Sequence, residues 1–144
     1  MNLSQIMTRK VVTVSPNAPA AQAVAELRVS GLHVLPVVDA SGKLLGLALE
    51  RDLLEAAFDD EHSKLPPGLL AQYTLAELPI EALMRPPRIT LSPEATLENA
   101  ARAMLEHRVY GLPIVNTSGV LEGVVTVQDV LGGMLLEHSG TVPA

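Results

Sequence analysis

The sequence predicts an α/β fold made of two copies of one β-α-β-β-α unit, and three observations predict it. The chain superposes on itself without a gap at an offset of 77 residues, the separation of Asp52 from Asp129, and the same shift sets Met7 on Met84, Thr13 on Thr90, Pro36 on Pro113 and Gly42 on Gly119. Such repetition outranks local signals, because it makes the structural unit smaller than the chain. Each copy carries apolar runs of strand length punctuated by Pro and Gly, and segments of helical period separate those runs.

In chain order, Leu3 to Met7 reads as a short helical turn, matched by Ile80 to Met84, where Pro79 suits a helix start. Val11-Val12-Thr13-Val14 and Arg88-Ile89-Thr90-Leu91 read as first strands, because β-branched residues suit a pleated surface. Ser15-Pro16-Asn17 and Ser92-Pro93 break them, and a helix follows each break. Ala20, Val24 and Leu27 are expected to form the core face of one helix, and Leu97, Ala101 and Met104 that of the other, behind the cap Thr96.

Val34-Leu35-Pro36-Val37-Val38 and Leu112-Pro113-Ile114-Val115 are continuous apolar runs that suit fully buried strands. Asp39-Ala40-Ser41-Gly42 and Asn116-Thr117-Ser118-Gly119 close them into hairpins, each final glycine being free to take a positive φ. The returning strands, Leu44 to Leu49 and Leu121 to Thr126, lead into second helices at Arg51 to Ala57 and Gln128 to Leu136. The expected organisation is a first domain over residues 1–57, a linker over 58–78, a second domain over 79–138 and a tail over 139–144. Asp59-Asp60-Glu61-His62 is read as a solvated loop of that linker rather than a metal cluster, since metal sites need ligands converging from a rigid frame.

Composition narrows the function. Without cysteine there is no disulfide, Cys-ligated zinc, iron–sulfur cluster or thiol nucleophile, and a reducing compartment, the cytoplasm, is the expected location. A net charge of -6 and 2% aromatic residues argue against a base-stacking nucleic-acid surface. No apolar run reaches the roughly 18 residues of a membrane span, and Met1-Asn2-Leu3-Ser4 lacks the basic start of a signal peptide, so no membrane association is expected. The apolar excess, 48% of residues, points to a face shared with a second copy of the chain. No Gly-x-Gly-x-x-Gly, Walker Gly-Lys-Ser/Thr or His-Glu-x-x-His pattern occurs, and the chain is not expected to be an enzyme.

The carrying residues, Ile6-Met7-Thr8 with Val12-Thr13-Val14, Leu35-Pro36-Val37-Val38-Asp39 and Gly46 to Asp52, then Leu83-Met84 with Ile89-Thr90-Leu91, His107 to Val115 and Gly123 to Asp129, resemble a tandem pair of cystathionine β-synthase (CBS) domains, a Bateman module. The resemblance implies two α/β domains with pseudo-two-fold symmetry and facing sheets, paired again into a disc-like homodimer. It also implies a regulatory module that needs no cofactor and senses an adenine nucleotide (AMP, ADP or ATP) or another adenosyl compound such as S-adenosylmethionine.

By the same resemblance, Asp129 would accept hydrogen bonds from both ribose hydroxyls, Thr126 would meet ribose or phosphate, backbone groups around Ile89, Thr90, Val109, Tyr110 and Gly111 would hold the adenine, and Leu112 and Pro113 would form an apolar wall. In the first copy the corresponding site would use Asp52 and Thr13, with His33 sent to a phosphate, but Leu49 stands where the family has Thr or Ser, so weaker binding is expected there. Two plainer readings stand beside these: Thr126-x-x-Asp129 is also a helix capping box, and His33 is also a partly buried neutral histidine. The rival function is a degenerate pair that serves as a dimerisation or docking module for a separately encoded enzyme or transporter.

Overall fold

A computed structural model describes residues 1–58 and 74–138. The chain divides into two compact units, one formed by residues 12–86 and the other by residues 1–11 together with 87–144. The acidic run Asp59 to His62 and the tail lie outside the described residues.

The unit of residues 12–86 holds helix α1 (Ala20–Ser30), strands β1 (Val34–Val38) and β2 (Leu44–Leu49), and helix α2 (Glu50–Phe58). The other unit holds α3 (Leu97–His107), β3 (Gly111–Val115), β4 (Leu121–Thr126) and α4 (Val127–His138). Each pair of strands is an antiparallel hairpin, in register from Val34 opposite Leu49 and from Gly111 opposite Thr126. The turns close as their composition requires: Gly42 and Gly119 take φ of 87° and 82°, where a side chain would be strained.

The expected first strands shrink to one bridging residue each, and proline explains why. Val14 bonds to the carbonyl of Pro36 (3.1 Å) and accepts from the amide of Val38 (3.0 Å), a parallel bridge. Continuing it back to Val12 would need an N–H on Pro36, and continuing it forward would need an N–H on residue 16, also proline. Leu91 repeats this arrangement with Pro113 and Val115, between Pro93 and Pro113. Residues before each bridge therefore form no ladder with the hairpin.

The helical faces also differ in detail from expectation. The buried stripe of α1 runs through Ala20, Ala23 and Leu27, leaving Val24 39% exposed, and that of α3 runs through Leu97, Ala100, Ala103 and Met104, with Ala101 at its margin. Spacings of three and four residues keep either stripe on one face, and the smaller side chain lets the helix approach its sheet closely. Val34, expected inside, is 38% exposed, and Leu35, Pro36 and Val37 are the buried part of β1. On α4, Gly133 lies 2.9 Å, measured from a built Cβ, from the tip of Leu97, whereas the first copy has Ala20 and Ala56 at the equivalent core positions.

Each unit is completed by the turn that precedes the other sequence copy. Ile80 is fully buried in the core of Leu35, Val37 and Ala48, with its amide on the carbonyl of Ala18 (2.9 Å). Leu3 is fully buried with Leu112, Ile114 and Val125, with its amide on the carbonyl of Ala95 (2.9 Å). Burying a leucine or isoleucine side chain is worth about 1.5–3 kcal/mol, so these turns are structural parts of the units they enter. No helix among the described residues is long and apolar enough to cross a membrane.

Candidate functional site

In the second copy, Thr126 ends β4 and caps α4. The Asp129 amide donates to Thr126 Oγ1 (3.2 Å), and the Thr126 amide donates to Asp129 Oδ2 (2.9 Å), a reciprocal capping box. This bond pattern holds the carboxylate in one orientation, and Oδ1 has no hydrogen-bond partner among the described residues. The capping role and a ligand role are compatible, because the cap uses one carboxylate oxygen and a donor ligand would use the other.

The strand register brings further named residues to this corner. Gly111 lies directly opposite Thr126, and Pro113 opposite Val124, so these four share one face of the hairpin. Leu112 and Ile114 project to the other face, where both are fully buried in the core with Val125. The structure therefore keeps Leu112 apart from Gly111 and Pro113. A Cβ on Gly111 would meet nothing closer than 3.7 Å, so packing within this unit does not require glycine there.

Backbone groups near the corner divide into used and unused. The carbonyl of Tyr110 accepts from the Val127 amide (3.0 Å), and the amide of Val109 donates to Met104 (3.1 Å). Ile89 and Thr90 have no backbone partner among the described residues; for the Ile89 carbonyl the missing N–H on Pro113 is the reason. The side chain of Tyr110 is 85% exposed. Thr8 exchanges both hydrogen bonds with Val124 (2.9 Å each), on the far edge of β4, and Arg9 and Lys10 follow it. Among the basic residues, Arg9 bonds to the Ser4 carbonyl, Arg88 to the His107 carbonyl and Arg51 to Glu55, while Lys10 and Arg108 have no bond among the described residues.

The corresponding corner of the first copy is chemically different. Val34 stands opposite Leu49, two apolar side chains where the second copy has glycine and threonine. Asp52 receives two hydrogen bonds from Arg85, Nε–H to Oδ2 (2.7 Å) and Nη2–H to Oδ1. Thr13 is half-buried in the extended segment before the Val14 bridge. His33 is a correction to the buried reading: its side chain is 83% exposed and Nδ1 lies 3.2 Å from Glu50 Oε1, because it precedes β1 at the strand's open end. Comparison of the two copies by offset could have flagged Val34 against Gly111; nothing in the sequence marked Arg85.

Among the described residues no group of His, Asp and Glu converges as a metal site. What remains is a duplicated α/β module with an acid at the start of each second helix, and among the described residues only the first of these acids is ion-paired.

The CBS domain family model matches residues 3–59 and 80–135, and the chain belongs to the CBS-domain family as a tandem pair. It is 31% identical over 131 residues to the uncharacterized protein MJ1404 of Methanocaldococcus jannaschii, covering 90% of this chain but only 31% of that protein's length. It is 26% identical to the CBS domain-containing protein YhcV of Bacillus subtilis, covering 96% of this chain and 89% of the relative. Among solved structures, CBSX2 in complex with AMP matches with a TM-score of 0.79 at 26% identity, over 95% of this chain and 98% of that one. The CBS domain pair of MJ0100 in complex with 5-methylthioadenosine and S-adenosyl-L-methionine matches with a TM-score of 0.70 at 25% identity, over 93% and 98%.

Proposed function

We propose that this chain is a regulatory module that binds an adenosyl compound, an adenine nucleotide or S-adenosylmethionine, and is not itself catalytic. The observation that carries this reading is the second-copy corner, where Thr126, opposite Gly111 in the hairpin, shares a capping box with a carboxylate that has one oxygen without a hydrogen-bond partner among the described residues. A ribose diol would donate to Asp129, Thr126 would meet the sugar or a phosphate, and the unpaired backbone of Ile89 and Thr90 would serve the adenine edge beside Val109, Tyr110, Gly111 and Pro113. Lys10 and Arg108 are the basic side chains of this unit with no hydrogen bond among the described residues, and would serve a phosphate. The AMP complex of CBSX2 and the S-adenosyl-L-methionine complex of MJ0100 favour this ligand class. Asp52, Thr13 and His33 form the weaker counterpart.

Binding becomes a signal only through differential affinity for two states. A homodimer in the cytoplasm, acting on a separately encoded partner, is the setting we propose. The docking alternative is favoured by exposed apolar residues on the helices: Leu105 (81%) on α3, and Leu131 (55%) and Leu135 (72%) on α4.

Thermal shift and calorimetry against AMP, ADP, ATP, S-adenosylmethionine and a guanine nucleotide control test the reading. A concentration-dependent stabilisation is expected with one adenosyl ligand. Asp129→Ala should weaken it by roughly 30-fold, about 2 kcal/mol for a charge-assisted contact. A flat response to millimolar ligand would leave the docking role.

A further inference from the structure

Asp52 already has a bidentate donor. Its side chain keeps 9% of its exposure and that of Arg85 keeps 32%, so the pair is largely withdrawn from water. A guanidinium offers a carboxylate two parallel N–H donors, the same demand that a ribose diol would make with two O–H donors. Arg85 is also fixed in place by its backbone, which exchanges hydrogen bonds with Leu47 at 2.8 and 3.0 Å on the edge of β2. Its counterpart in the other unit is Thr8, which makes the same backbone bridge to Val124 but carries no cation that could meet Asp129. The neighbouring positions change in the same direction, with Val34 and Leu49 where the second copy has Gly111 and Thr126.

We infer that Arg85 is a specificity-determining residue: it occupies the first-copy carboxylate as a built-in substitute for a ribose diol, so that each chain takes one adenosyl ligand, at the second copy. The inference rests on the adenosyl reading above and adds to it the reason the duplicated site is not duplicated in use. Val34 and Leu49 complete the closure by presenting aliphatic side chains at the corner where the second copy is small and polar. A staple role alone would stabilise the unit without governing how many ligands bind.

The test uses the whole 144-residue chain with the second site silenced by Asp129→Ala, to which Val34→Gly, Leu49→Thr and Arg85→Thr are added. Calorimetry with AMP and with S-adenosylmethionine should show affinity at least tenfold above the Asp129→Ala background, at one ligand per chain, and adding Asp52→Asn should remove it. A folded variant, judged by circular dichroism, that gains no affinity overturns the inference, as does regained binding that survives Asp52→Asn. If the combined variant does not fold, Leu49→Thr with Arg85→Gln, which removes the charge but keeps the aliphatic stem and a polar end, is read by the same criteria. Two ligands per wild-type chain would also overturn it. Absence of binding to the wild type would instead refute the adenosyl reading, while gain or no gain in the variant still decides the role of Arg85.

Discussion

Arg85 donates two hydrogen bonds to Asp52 across 33 residues of sequence, joining the turn before the second copy to the start of α2. Among the described residues this is the ion pair of the first unit with the least exposed carboxylate, and none of them brings a cation to Asp129 in the same way. Two copies of one unit thereby differ in charge at the position where they look most alike.

Removing Arg85 leaves a nearly buried carboxylate without its partner. Arg85→Ala should cost about 3 kcal/mol, because breaking a buried pair strands the remaining charge. Asp52→Ala combined with Arg85→Ala should cost less than the sum of the single changes, by about 1–3 kcal/mol. Urea denaturation of the four proteins in the cycle measures both quantities.

Glycines in the second unit should respond in opposite directions. A Cβ at Gly123 would lie 2.7 Å from the Thr8 carbonyl oxygen, and that carbonyl is held by the Val124 amide. Gly123→Ala should therefore destabilise by about 1–3 kcal/mol through overpacking. Gly132, inside α4 with nothing within 4 Å, should gain about 0.5–1 kcal/mol on substitution by alanine. Melting temperatures of the two variants provide the comparison.

Acid should weaken the first hairpin more than the second. Asp39 accepts from the Ser41 hydroxyl (2.7 Å) and from the amides of Ser41 (2.9 Å) and Lys43 (3.0 Å). The Ser41 hydroxyl first, and the Lys43 amide next, hold its pKa below the ordinary aspartate value. A depressed folded pKa contributes stability above the unfolded value, near ~4, and loses it as pH falls through the folded value. Asn116 makes the corresponding amide bonds, at 2.9 and 3.0 Å, without titrating. Asp39→Asn should thus flatten the fall of melting temperature below pH ~4, the ordinary aspartate range.

Arg108 ends α3 at φ 53°, whereas Gly31 ends α1 at φ 70°. A side chain in the left-handed region costs roughly 1–2 kcal/mol, offset in part by the greater freedom glycine has when unfolded. Arg108→Gly should raise stability by up to about 1 kcal/mol on that account. If Arg108 meets a ligand phosphate, the same change lowers affinity for ADP and ATP more than for S-adenosylmethionine, which calorimetry would read.

The hairpins, the helices and the duplicated order were legible because their signals are local. Gly42 and Gly119 mark turns that only glycine makes cheaply, and the aliphatic runs around Pro36 and Pro113 mark strands. The first strands were overdrawn for a reason also present in the sequence: Pro16 with Pro36, and Pro93 with Pro113, remove the N–H groups that a longer parallel ladder needs. Val24 misled because β-branched bulk is read as core, whereas the buried face of α1 runs through Ala20, Ala23 and Leu27. Within the candidate site, the pairing of Thr126 with Asp129 was readable from spacing, and the opposite faces of Leu112 and Gly111 emerge from the register.

By itself, the sequence determined the repeat, the order of elements, the turns and the membership in the CBS-domain family. Tertiary structure alone decided which unit each early turn completes, since Leu3 and Ile80 lie at equivalent positions and an offset comparison treats them alike. It also decided that Asp52 is held by Arg85 while Asp129 keeps an oxygen open. Periodicity and turn chemistry act between neighbours in the chain, whereas an ion pair spanning 33 residues exists only after folding has brought its two ends together.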